Sequence, residues 1–199
     1  IVSTGTRTLQ DQLYHRDLPM LSKALGRPVR VALLKGRSNY LCRHRLQLAD
    51  QAFALPGMEP PSAKVMKKVR AWAQVTRSGD IAELSGIRDD DPVWPAVTST
   101  RDNCLGVECA EYSRCHVVLA RREAQAADVV VVNHHLLLAD LSLKEEGFGD
   151  LLPGTEAVIL DEAHQVPDVA AQFFGLNVSS RQAVALVRDS LAELVRTGH

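Results

Sequence analysis

The chain has 199 residues, of which 46% are hydrophobic and 24% charged, a composition that excludes a disordered tail and allows one or two modest cores. Its aliphatic runs are short, Val129–Val132 being closed by Asn133-His134-His135, and fall far short of the roughly 20 residues that a bilayer-spanning helix needs. The net charge of −1 conceals a division: residues 30–122 carry 15 Lys and Arg against 10 Asp and Glu, whereas residues 123–199 carry 4 against 12. A basic middle suits a polyanionic partner, because its cations can neutralise phosphates and release counterions.

Ile1-Val2-Ser3-Thr4-Gly5-Thr6 reads as the inside of a strand running into a turn. With no Met, basic n-region or apolar h-region there, no signal peptide is expected, and the chain reads as a piece of a longer polypeptide. Leu9, Leu13 and Leu21–Leu25 predict helix, interrupted near Pro19 and closed by Gly26. A second strand is predicted at Val29–Leu34. About 90 residues follow before the next strand, too many for a simple crossover, so they are expected to form a domain of their own. Inside that stretch Leu46, Ala49 and Phe53 keep helical spacing. So do Val65, Val69 and Trp72, in a helix expected to be capped by Ser62. Asp89-Asp90-Asp91 reads as a solvated loop.

Ala127–Asn133 and Ala157–Asp161 are apolar without alternation, the pattern of parallel strands covered on both faces by helices. Strands alternating with helical stretches give an α/β fold with a parallel sheet. Near the end, Val184, Val187, Leu191 and Val195 predict an amphipathic helix between a Ser180 cap and Gly198.

Two groups of residues carry chemistry. In Val158-Ile159-Leu160-Asp161-Glu162-Ala163-His164 a predicted buried strand delivers adjacent carboxylates to its C-terminal end, the edge at which open α/β sheets bind ligands. Nucleotide hydrolysis needs such a pair: Asp161 would hold Mg²⁺ through water, Glu162 would orient and deprotonate the attacking water, and His164 would sense the γ-phosphate. The second group is Cys42, Cys104, Cys109 and Cys115, all inside the basic block. Without a secretory signal, clustered cysteines point to metal or redox chemistry rather than disulfides, and to a cytoplasmic location. Four thiolates suit either a tetrahedral zinc or a [4Fe–4S] cluster, and their spacing leaves both open.

Together, Lys35-Gly36-Arg37-Ser38-Asn39-Tyr40-Leu41-Cys42, the Cys-x4-Cys-x5-Cys run, Val132-Asn133-His134-His135-Leu136-Leu137 and the Asp161–His164 box resemble the bacterial DinG and YoaA helicases, iron–sulfur relatives of the XPD helicase in superfamily 2. The resemblance runs from Ile1-Val2-Ser3-Thr4-Gly5-Thr6, similar to motif Ia, through the box. It implies a partial RecA-like motor domain with a parallel sheet and an inserted, mainly helical iron–sulfur cluster domain. The boundaries expected from it are residues 1–34 and 119–164 for the motor segment, 35–118 for the insertion, and 165–199 for the start of a helical arch. It further implies a [4Fe–4S] cluster on the four cysteines, with Mg²⁺ and ATP in the full-length parent. Single-stranded or forked DNA would be unwound 5′ to 3′ in repair or replication, alongside replication or repair proteins. A monomer near the nucleoid, with no membrane partner, is expected.

The DNA-facing residues implied are Ser3, Thr4 and Thr6, then Lys35 and Arg37 for phosphates and Tyr40 for base stacking. Arg43, Arg45, Lys64, Lys67, Lys68, Arg121 and Arg122 would extend the basic surface, and His134 and His135 receive no role. A Gly-x4-Gly-Lys-Ser/Thr loop, or Walker A, is absent from these residues, as is a second motor domain. This chain by itself is therefore expected to be inactive. The alternative from another class is a zinc- or cluster-stapled nucleic-acid-binding adaptor without catalysis.

Overall fold

The computed structural model describes residues 1–52, 62–145 and 151–174, with positions 180, 184, 186, 187 and 190. Phe53, Leu191, Val195 and Gly198 of the predicted helical stripes lie outside the described residues, whereas Val184 and Val187 are exposed.

Four parallel strands form one sheet: β1 (Val2–Thr4), β2 (Val31–Leu33), β3 (Val129–Asn133) and β4 (Ile159–Leu160), in the order β2-β3-β1-β4. The register sets Val2 against Val131 and Ile159, and Thr4 against Asn133. All four strands therefore end at the same edge, where their following loops converge.

Thr6 caps α1 (Arg7–Gln12), its hydroxyl accepting from the Leu9 amide at 3.2 Å. The helix then widens into a π turn over Leu13–Asp17 before α2 (Leu18–Ala24), so the interruption falls ahead of Pro19 rather than at it. A proline ring clashes with the carbonyl four residues earlier, and the widened turn gives it room. Gly26 ends the segment at φ +62°, a left-handed position that glycine adopts at no steric cost.

Next come α3 (Arg43–Ala52), α4 (Ala63–Ala73) and the short α5 (Val93–Val97), then α6 (His116–Gln125) leading into β3. Helix α7 (His134–Glu145) leaves β3 and packs on α8 (Val166–Phe174). Ser62 caps α4 through its carbonyl, which accepts from the Met66 amide, and not through its hydroxyl. Asp91 is not merely solvated: its carboxylate accepts from the Val93 amide at the start of α5.

Two apolar cores result. One lies on the sheet and joins Ala32, Leu34, Val130 and Val132 to Val117 and Ala124 of α6, Leu137 of α7 and Leu152. The other lies within residues 41–97, where Met66, Val69 and Trp72 of α4 meet Leu41, Val93, Trp94 and Val97. The expectation of a fourth strand covered on both faces is corrected. Ile159 is 61% and Leu160 44% exposed, because β4 is an edge strand that no described helix covers.

Candidate functional site

The register brings the carboxylate pair to the sheet edge. The Asp161 amide donates to the Ser3 carbonyl at 2.8 Å, and the Thr4 hydroxyl donates to Asp161 Oδ2 at 2.9 Å. One carboxylate oxygen is thus fixed by a buried hydroxyl. Glu162 follows at φ 52°, ψ 40°, the one non-glycine residue with positive φ among those described. Strain of this kind costs about 1–3 kcal/mol and persists at sites that use the geometry it imposes. Glu162 Oε2 lies 3.3 Å from Nδ1 of the exposed His164.

Ser3 and Thr4, expected to touch a DNA backbone, are fully buried. Thr4 holds Asp161, and the Ser3 hydroxyl shares a 2.8 Å hydrogen bond with His134 Nδ1, at the first residue of α7. His134 thereby acquires a structural place that the sequence did not reveal. His135 is exposed and sits edge-on to Phe173 of α8.

Lys35 and Tyr40 are buried as well, which corrects their reading as phosphate and base contacts. The Lys35 ammonium lies 2.8 Å from Asp11 and 2.7 Å from Asp80. The Tyr40 hydroxyl accepts from the Lys35 amide at 3.0 Å, and burial pushes its pKa up to about 12. Arg37 turns toward the cysteines, donating to Cys104 Sγ at 2.8 Å. What faces solvent at this edge is a groove of about 560 Å³ of mixed lining, whose polar residues are Thr6, Arg7, Ser38, Asn39, Asn133 and His135. Of these, only Thr6 was expected from sequence. The others could have been found by asking which polar residues directly follow the parallel strands.

The four cysteines, all free and half-buried, line one cavity of about 620 Å³. The Leu41 and Cys42 amides donate to Gly79 and Val97 carbonyls at 2.8 Å, tying Cys42 to the second core. Cys109 and Cys115 each close a short 3-10 turn, Gly106–Glu108 and Tyr112–Arg114, and donate back to its first carbonyl. Two similar turns thus present two thiols, and Cys115 then opens α6.

Burial pushes the Cys42 thiol up, with the Arg45 amide and Ser99 hydroxyl opposing. Desolvation and then the neighbouring Arg37 hold Arg121 below the usual guanidinium range, while Cys104 and Cys115 oppose this. Among the described residues no three His, Cys, Asp or Glu side chains gather around a point that one metal ion would occupy. A mononuclear zinc needs all its sulfurs about 2.3 Å from one point. Four thiols lining one cavity, with Arg37 and Arg121 beside them, are a donor set that suits an anionic, thiolate-bound metal cofactor.

A parallel sheet that ends in adjacent carboxylates, with a second core inserted between two of its strands, defines a partial RecA-like motor domain. The sequence model of the DEAD_2 family matches residues 99–183. The chain is 52% identical over 189 residues to the ATP-dependent DNA helicase YoaA of Escherichia coli K12, covering 95% of this chain and 29% of that protein. It is 49% identical over 190 residues to YoaA of Haemophilus influenzae, again covering 95% and 29%. It is 36% identical over 185 residues to the ATP-dependent helicase DinG of Mycobacterium tuberculosis H37Rv, covering 84% and 27%. The chain is similar to helicases of the DinG/YoaA type, and it spans about 29% of the length of the YoaA relatives.

Proposed function

We propose that this chain is the part of an ATP-dependent DNA helicase that holds the metal-binding carboxylate, the catalytic base and an iron–sulfur insertion. The observation that carries the reading is the joint placement, in a chain half identical to YoaA, of a Thr4-braced Asp161 at the sheet edge and four thiols on one cavity wall. The proposed parts are residues 1–34 and 119–164 for the motor segment, 35–118 for the insertion and 165–199 for the arch.

In the whole protein Asp161 would hold Mg²⁺, and Glu162 would orient the attacking water and take its proton. Bound Mg²⁺ supplies charge neutralisation on the ATP phosphates. His164, exposed beside Glu162, reports the state of the site to a second motor domain. Thr6 and Arg7 in the groove, with Ser38 and Asn39, bind the sugar–phosphate backbone of single-stranded DNA; Ser3 and Thr4 position the edge beneath them. Cys42, Cys104, Cys109 and Cys115 hold a [4Fe–4S] cluster, which crosslinks an insertion with a small core. The motor translocates 5′ to 3′ and serves repair or replication as a monomer.

The test is an anaerobic preparation of the full-length protein assayed for iron, sulfide and zinc, followed by strand displacement from forked DNA with opposite tails. About four irons and four sulfides per chain, with displacement only from a 5′ tail, are expected. One zinc without sulfide, and no displacement, would replace this reading with a stapled adaptor.

A further inference from the structure

Leu151–Gly154 form part of the wall of the cysteine cavity, yet they lie in sequence beyond α7, far from every cysteine. A single side chain pins them there. Asp140 of α7, 2% exposed, accepts the Leu151 amide at 2.7 Å and the Leu152 amide at 2.9 Å on one carboxylate oxygen. Its other oxygen meets the Lys144 ammonium at 2.7 Å. Leu152 then inserts into the sheet core, also 2% exposed, beside Tyr40 and Val117. A buried carboxylate spent on two backbone amides of one short segment fixes that segment in a single position. The same helix begins at His134, hydrogen-bonded to Ser3 at the nucleotide edge, and packs on α8 after the box.

We propose that Asp140 is the positioning residue that latches Leu151–Gly154 over the cysteine cavity, and so sets how readily solvent and oxidants reach whatever the thiols hold. That the thiols hold an iron–sulfur cluster rests on the reading above; the latch itself does not. With the carboxylate gone, two amides lose their acceptor and the wall opens by local unfolding, leaving the sheet in place.

The test compares the anaerobically prepared full-length protein with Asp140→Ala, Asp140→Asn and Lys144→Met. Loss of absorbance near 400 nm in air is followed after equal starting iron and sulfide contents are verified. Asp140→Ala is expected to bleach about tenfold faster, the change that follows from losing charge-assisted hydrogen bonds in an opening equilibrium. Asp140→Asn keeps an acceptor for both amides and should bleach only about twofold faster, as should Lys144→Met. If Asp140→Ala does not fold, the other two decide, and wild-type bleaching rates in both overturn the latch. If the wild type itself holds no cluster, alkylation of its cysteines by iodoacetamide replaces bleaching as the readout. Faster alkylation in the variants then upholds the latch while the cluster reading fails, and equal rates overturn the latch.

Discussion

At the sheet edge the fixing contacts reach across the chain: Thr4 bonds to Asp161 over 157 positions and Ser3 to His134 over 131. In the insertion the fixing contacts stay inside it and span less of the chain: Glu83 accepts from the Trp72 indole 11 residues away, the Thr76 hydroxyl 7 away and the Ser78 hydroxyl 5 away, and Arg37 donates to Cys104 67 away. The first region forms only when distant segments meet, whereas the second organises itself around its own core. One buried cation bridges them, since Lys35 reaches Asp11 of α1 on one side and Asp80 of the insertion on the other. The difference teaches that chemistry and support are held by separable sets of contacts, and it can be broken at defined points.

The largest effect belongs to the edge. Glu162→Gln in the full-length protein should lower ATP turnover by roughly 10²–10⁴-fold, the range for removing a general base, while DNA affinity and thermal midpoint stay put. ATP turnover within threefold of wild type would remove Glu162 from that role. Lys35→Met strikes the bridge and leaves the partly solvated Asp11 and Asp80 without their cation, a loss of about 1–3 kcal/mol. Denaturant unfolding should then separate into two transitions, the insertion and the sheet. A single cooperative transition at the wild-type midpoint would show that the bridge carries no coupling.

A smaller change tests the bracing of Asp161, the carboxylate proposed to hold Mg²⁺. Thr4→Val keeps the side-chain shape and deletes the hydroxyl that donates to Asp161. Losing one hydrogen bond to a charged group should cut ATP turnover roughly tenfold and raise the Mg²⁺ concentration needed for half activity. If only global stability fell, with Mg²⁺ dependence unchanged, Thr4 would be part of the core rather than of the site.

The sheet's centre was legible because Val129–Val132 is apolar at every position, as suits a strand covered on both faces. The place of the carboxylate box was legible because an apolar run sets the residues after it at a strand's end, and Asp161 does follow β4 there, beside Ser3 of β1. Lys35 and Tyr40 misled, since a lysine and a tyrosine in a loop look solvated until Asp11, Asp80 and the Lys35 amide are known to surround them. Ser3 and Thr4 misled for the same reason, their partners lying more than a hundred residues away. Strand β4 showed the limit of the pattern itself, because an apolar run states what a strand can bury and not what covers it. Asp140 gave no signal at all: a lone Asp among leucines shows its purpose only once Leu151 and Leu152 return to it.

The smallest effect is a pH dependence confined to the insertion. Burial raises the Glu83 pKa, but hydrogen bonds from Ser78, Thr76 and Trp72 outweigh it, so in the folded protein the carboxyl titrates below its ordinary 4.5. A carboxylate with a depressed folded pKa adds stability above its unfolded value, and that stability is lost as pH falls from 4.5 through the folded value. Both tryptophans, Trp72 and Trp94, lie in the second core, so their fluorescence reports this region and not the sheet. Acid titration of the wild type should shift the emission of these residues to the red below about pH 4, ahead of the loss of far-ultraviolet circular dichroism from the whole chain. In Glu83→Gln the amide keeps an acceptor for the indole but cannot titrate, so its fluorescence midpoint should coincide with global acid unfolding. An unchanged gap between the two midpoints would place the acid-sensitive group elsewhere in the insertion, and the local clamp on Trp72 would then be packing rather than charge.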